Sequence, residues 1–197
     1  SDRCAPYAKP SPPAWNAKLA HLLYPRAAGV IAQTRLSAEE KSRYNRNVRI
    51  IPNPLRRVEV PGGIVREHLV VNVGRMDSGK GQEELLRAFS RLRDPRDWRL
   101  MLVGDGPQRE RLEALTDELR LGERVRFTGA RKDVDALLAR SSIFAFASLS
   151  EGYPNALLEA MASGLCCISF DCVAGPSDII AHERSGVLVP VGDIDAY

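Results

Sequence analysis

From residue 69 onward the chain alternates short, predominantly apolar runs with amphipathic stretches of helical period, a pattern that few folds accommodate. The runs lie at 69–73, 99–103, 125–128, 143–147 and 166–170, and helices are predicted between them at 82–92, 107–120, 133–140 and 154–163. In the first helix Leu85, Leu86, Phe89 and Leu92 fall on one face, as a 3.6-residue period requires. A strand with one face in water alternates apolar and polar residues, whereas a continuous apolar run is buried on both faces. The prediction is an α/β chain: a parallel sheet with helices on both faces, which binds ligands at the C-terminal ends of its strands.

The residues before 69 read differently. An irregular lead-in over 1–13 carries four prolines; a helix is expected over 15–24 and a strand at 29–33. A helix over 37–44 follows, capped by Ser37 with Glu39 and Glu40 in its first turn, and then a strand at 48–51. Pro52-Asn53-Pro54 interrupts regular structure, which places a boundary between a small unit at 1–55 and the main domain at 56–197. With 197 residues and 44% apolar content, one full core with an appendage is the expectation. The missing initial Met and the strand-like run at 186–189 suggest an excised piece.

The strand-to-helix loops hold the chemistry. Gly74-Arg75-Met76-Asp77-Ser78-Gly79-Lys80-Gly81 is punctuated by glycine and carries two cations just before a helix. It suits phosphate, although it is neither a Walker loop nor the dinucleotide GxGxxG pattern. Arg75 offers a planar fork and Lys80 a mobile point charge, enough to neutralise a diphosphate without a metal. Gly104-Asp105-Gly106-Pro107 is a turn that either approaches a ligand closely or only opens a helix. In Gly129-Ala130-Arg131-Lys132-Asp133, Arg131 either stacks on a base or is solvated. Gly175-Pro176-Ser177-Asp178 reads equally as a site loop and as plain capping.

The segment Ser148 to Gly164 is the most specific. Glu151 and Glu159, eight apart, flank a Gly152-Tyr153-Pro154-Asn155 turn that opens a helix. Exposed N–H groups and the positive dipole end make that helix start an anion site. A carboxylate beside phosphate is repelled unless it has hydroxyls to bind, and a cis-diol donates two hydrogen bonds to one carboxylate. Together these features point to a nucleotide sugar.

Charge and composition narrow the class. A net charge of +3, from 28 basic and 25 acidic residues, argues against a dedicated nucleic-acid binder. Residues 35–66 hold eight basic and three acidic side chains, a solvated basic surface or one drawn to anionic lipid heads. No run approaches the ~18 apolar residues of a membrane span, so the chain is expected to be soluble. Cys4, Cys166, Cys167 and Cys172 fit neither a disulfide framework nor zinc spacing and are expected as buried free thiols. His21, His68 and His182 stand in no cluster that would support a catalytic triad or a metal centre.

Taken in order over residues 48–189, these segments resemble the nucleotide-sugar-binding half of the retaining glycosyltransferases of family 4, which have the two-domain GT-B fold with Rossmann-like halves. Gly74-Arg75 with Lys80-Gly81 is similar to the family's Gly-Arg loop, and Gly104 to Pro107 to its Gly-x-Gly-Pro turn. Glu151 and Glu159, around Pro-Asn-Ala-Leu-Leu-Glu-Ala-Met-Ala, match its Glu-x7-Glu signature. The resemblance implies catalytic roles for Arg75, Lys80 and Glu151: the cations on the donor diphosphate, Glu151 on the transferred sugar. It puts Glu159 on the ribose and the Gly152, Tyr153, Pro154, Asn155, Ala156 and Leu157 backbone beside sugar and phosphates. Gly74, Gly104, Gly106 and Arg131 complete the implied donor site.

The same resemblance implies a hexosyl or N-acetylhexosaminyl transferase using a UDP-sugar, without metal or other cofactor, on a glycan or lipid-linked acceptor, with an α-linkage. It implies a cytoplasmic protein at the inner face of the membrane. Residues 1–55 correspond to the end of the acceptor-side domain plus the hinge, so little transfer is expected of this piece alone. Asp178 stands where the family more often has Glu. A non-catalytic nucleotide-sugar-binding module and a sugar-nucleotide epimerase remain as alternatives; an oxidoreductase would need the absent GxGxxG.

Overall fold

The computed structural model describes residues 19, 22–60, 63–92 and 97–197. The lead-in over 1–13, Cys4 and most of the helix expected over 15–24 lie outside them. Near the start, β1 (Val30–Ala32), α1 (Arg35–Ser42) and β2 (Val48–Ile50) form a unit whose two strands pair in parallel. Its helix starts two residues earlier than predicted. Thr34, only 1% exposed, is the N-cap, and its hydroxyl accepts from the Ser37 backbone N–H at 3.2 Å. Ser37 is therefore the capped residue, and Glu39 and Glu40 lie beyond the first turn.

The main domain runs β3 (Leu69–Val73), α2 (Gln82–Ser90), β4 (Arg99–Val103), α3 (Arg109–Glu118), β5 (Val125–Phe127), α4 (Val134–Arg140) and β6 (Ile143–Phe146). It continues through α5 (Asn155–Ala162), β7 (Cys166–Phe170), α6 (Pro176–Ile179) and β8 (Val187–Val189). All six strands are parallel, in the order β5-β4-β3-β6-β7-β8. Alternate strand residues feed opposite layers. Val70, Leu100, Leu102 and Ala145 pack with Leu85, Leu86 and Phe89 of α2 and with Leu112 and Leu115 of α3. Leu69, Val71, Met101, Phe144 and Phe146 pack with Leu137 and Leu138 of α4 and with Leu157 and Ala160 of α5. The doubly covered parallel sheet read from the apolar runs is thus present.

Two local expectations fail. Leu92 is 41% exposed, because α2 ends at Ser90 and the N–H groups of Arg91 and Leu92 close a tighter turn onto Ala88 and Phe89. Cys166 is exposed as the first residue of β7, whereas Cys167 and Cys172 are buried free thiols. Burial pushes the Cys167 thiol up to about 12. Among the described residues no helix is long and apolar enough to cross a membrane.

The strand order reverses between β3 and β6. These two strands pair only at Val70↔Ile143 and Val71↔Phe144, and then diverge. Asn72, 4% exposed, spans the gap by donating from Nδ2 to the Ala145 carbonyl at 2.8 Å. A crevice opens above this amide, at the C-terminal ends of the strands.

Candidate functional site

The loop at 74–81 leaves β3 at the lip of the crevice and is held from behind. Met76, 1% exposed, is buried beneath it; its N–H donates to Asp105 O at 3.0 Å, and its carbonyl accepts from Gln108 N at 3.1 Å. Gln82 donates from Nε2 to Arg75 O, and Asp77 Oδ1 accepts from Gly79 N, both at 3.0 Å. Two glycines here are forced by contact. A Cβ on Gly104, whose φ is +137°, would sit 1.9 Å from Gly74 O; on Gly81, at φ +62°, it would sit 1.8 Å from Ala147 O. Gly106 is similarly pressed on Met76 O. The Gly-x-Gly turn thus packs against the phosphate-type loop.

Gly74, Arg75 and Lys80 face Glu151, Tyr153, Pro154, Asn155 and Ala156 across one cleft of about 280 Å³. Gly152 is exposed beside Glu151, and Leu157 is wholly buried in the core, which leaves only its backbone near the cleft. Gly104 and Gly106 stand behind the loop. Arg131 is not among the residues lining the cleft; its guanidinium pairs with Asp133 at 2.8 and 2.7 Å. Glu159 lines an adjoining depression of about 220 Å³ with Pro54, Leu55, Arg56 and Leu158, and Asn155 belongs to both hollows.

Each charge in the cleft has a definite setting. Glu151, whose side chain is 8% exposed, takes Lys80 Nζ on Oε1 at 2.5 Å. A carboxylate buried to that degree requires such a counter-ion. The exposed Arg75 guanidinium has no side-chain partner among the described residues. Helix α5 begins after Pro154 with no side-chain cap, so its N-terminal dipole end is open to the cleft. Burial, with the nearby Asp178 charge, raises the Tyr153 phenol above its ordinary range.

One residue of the site went unread in the sequence. Arg56, on the irregular connection between the two units, donates from Nε to Glu159 Oε1 at 2.7 Å and from Nη1 to Asp135 Oδ2 at 2.8 Å; Nη2 takes Asp135 Oδ1. The basic stretch at 35–66 is accordingly less free than its composition suggests. Arg35 pairs with Asp178 at 3.2 Å, and Arg66 donates to the carbonyls of Ser141 and Ser163 at 2.5 and 2.6 Å. No local signal marks Arg56, since its partners lie 79 and 103 residues away.

The Arg56 pairing has a pH signature. Arg56 holds the Asp135 carboxyl below its usual range, with burial opposing. A depressed folded-state value contributes stability above the ordinary carboxyl pKa of ~4, and that stability is lost as pH falls through the lowered value. Asp135→Asn should therefore destabilise the protein at neutral pH and match the parent at strongly acid pH. Urea midpoints at both pH values check this, and an undiminished gap in acid would contradict it.

Six parallel strands wound outward both ways from a central pair define a Rossmann-like domain of the kind found in GT-B glycosyltransferases. The apo lipopolysaccharide outer core galactosyltransferase WaaB superposes with a TM-score of 0.75 at 27% identity, over 86% of this chain and 50% of that one. Residues 67–197 match the family described as glycosyl transferases group 1, and the chain belongs to it. It is 33% identical over 127 residues to the N-acetylgalactosamine-N,N'-diacetylbacillosaminyl-diphospho-undecaprenol 4-alpha-N-acetylgalactosaminyltransferase of Campylobacter jejuni, which covers 64% of this chain and 34% of that protein. It is 35% identical over 133 residues to the lipopolysaccharide 1,6-galactosyltransferase of Escherichia coli, covering 64% and 36%. The chain thus spans about a third of the length of these relatives.

Proposed function

We propose that this chain is the donor-binding part of a retaining glycosyltransferase that moves a hexosyl or N-acetylhexosaminyl group from a UDP-sugar to a glycan or lipid-linked saccharide, with an α-linkage, at the cytoplasmic face of a membrane. The observation that carries the reading is the convergence of Arg75, Lys80, Glu151 and the open start of α5 on one cleft at the strand reversal. The relatives support it by name, since both transfer a sugar to a glycan or an undecaprenyl-linked one.

The diphosphate would lie between Arg75, Lys80 and the α5 N-terminus, with the ribose in the adjoining hollow against Glu159. Lys80 is paired with Glu151 in the empty cleft. When the phosphates arrive, Lys80 turns to them, and Glu151 exchanges an ammonium partner for hydroxyls of the transferred sugar. In a retaining reaction the acceptor hydroxyl attacks the face from which the nucleotide departs, and a diphosphate oxygen takes its proton. The chain's task is to stabilise charge growing on that leaving group, which Arg75 and Lys80 supply without a metal.

Thermal unfolding of this chain with UDP-sugars, and product analysis on the full-length protein in the presence of saccharide acceptors, test the proposal. A rise in Tm with UDP-sugars and an α-linked product are expected. Stabilisation by nicotinamide nucleotides alone, a β-linked product, or epimerised donor without transfer would sink it.

A further inference from the structure

Glu159 projects from the second turn of α5, and a free glutamate there would sample several rotamers, whose loss on fixing the side chain opposes binding. In the structure it is not free, because Arg56 Nε–H holds Oε1 at 2.7 Å. All three guanidinium nitrogens are in use: Nε on Glu159, Nη1 and Nη2 in a fork on Asp135. Asp135, at the start of α4, thus fixes the plane of the guanidinium, and that plane fixes Glu159. The same cation lets two carboxylates stand beside one another; without it they would repel.

The contact leaves capacity to spare. A carboxylate offers about four lone-pair sites, and Arg56 takes one of them on Oε1, while Oε2 makes no hydrogen bond among the described residues. A vicinal diol entering the hollow lined by Arg56, Asn155 and Glu159 would meet acceptors already oriented. We infer that Arg56 is a positioning residue for the donor: from the connection between the two units it aims the Glu159 carboxylate at the ribose hydroxyls. This rests on the reading of Glu159 as the ribose acceptor. Arg56 is the sole link in this triad from outside the main sheet's own loops and helices, so the course of residues 51–60 sets the geometry of the ribose hollow.

The test compares UDP with 2′,3′-dideoxy-UDP by calorimetry on the parent chain and on Arg56→Ala and Arg56→Lys. The parent is expected to bind UDP more tightly than the dideoxy nucleotide. Arg56→Ala should lose about tenfold in UDP affinity, the scale of one charged hydrogen bond, and nothing in dideoxy-UDP affinity. Arg56→Lys, which can hold one carboxylate but not fork across two, should show the same selective loss at smaller size, and it serves if the alanine variant does not fold. Equal losses for both nucleotides would mean a general structural role, and tighter UDP binding by Arg56→Ala would mean that Arg56 blocks the hollow; either result overturns the inference. A parent that does not distinguish the two nucleotides overturns the ribose role of Glu159 itself, and the positioning role with it.

Discussion

Replacing Arg75 by Ala is expected to weaken UDP binding about tenfold to a hundredfold while uridine binding stays unchanged. Arg75 is exposed at the cleft, and among the described residues its guanidinium has no side-chain partner, so truncation removes no internal contact. What it removes is a cation and a fork of donors, worth ~1.5–3 kcal/mol toward a charged acceptor. Where transfer is measured, the same change should lower the rate ~10²–10³-fold, because in the proposed role the guanidinium would meet charge that grows on the departing diphosphate. Arg75→Lys should recover only part of either loss, since an ammonium lacks the planar fork. Lys80→Ala is a poorer probe: it strands Glu151, 8% exposed, without its counter-ion and mixes a folding defect with a binding one. Isothermal titration with UDP and with uridine decides the matter. Parallel losses for the two ligands, or none, would remove Arg75 from the diphosphate.

The second large effect separates two glycines that the resemblance places together in the donor site. Gly104→Ala is expected to destabilise the fold by at least ~2 kcal/mol. Its φ of +137° is closed to alanine, and the new Cβ would lie 1.9 Å from Gly74 O, which is backbone and cannot rotate aside. Gly74→Ala meets nothing within 4 Å. That variant should keep its stability within ~0.5 kcal/mol and lose UDP affinity instead, because the added methyl projects from the lip of the cleft. Denaturant midpoints and UDP titrations on both variants give the comparison. If Gly104→Ala folded as stably as Gly74→Ala, the packing of the two loops would not be the reason for the glycine.

These two glycines also mark how far the primary structure could be read. The strands were legible because β3, β4, β6 and β7 are largely buried and so consist mostly of apolar residues, with Asn72 and Ser169 the buried exceptions. The loops that follow them were legible because glycines cluster directly after the runs, at 74, 79 and 81, at 104 and 106, and at 129. Helix ends were not: the cap of α1 is Thr34, chosen by its burial, and burial belongs to the tertiary structure. The same holds for Leu92, which periodicity alone assigns to the apolar face although the backbone has already turned away. Arg56 is the fullest case. Its neighbours Leu55 and Arg57 say nothing of carboxylates on α4 and α5, and only the folded chain brings them within reach.

The divergence of β3 from β6 bears on how the molecule assembles. β3, β4 and β5 can zip together through successive local crossovers, but the bridge from Asn72 to Ala145 joins residues 73 apart. Long-range parallel pairing of this kind is slow to form. The cleft does not exist in either half of the sheet; it arises when β6 docks beside β3. A nucleotide that occupies it binds only the docked form and by mass action favours it. The donor would then act as a clasp, tightening the one seam in the sheet that neighbouring stretches of chain do not close by themselves.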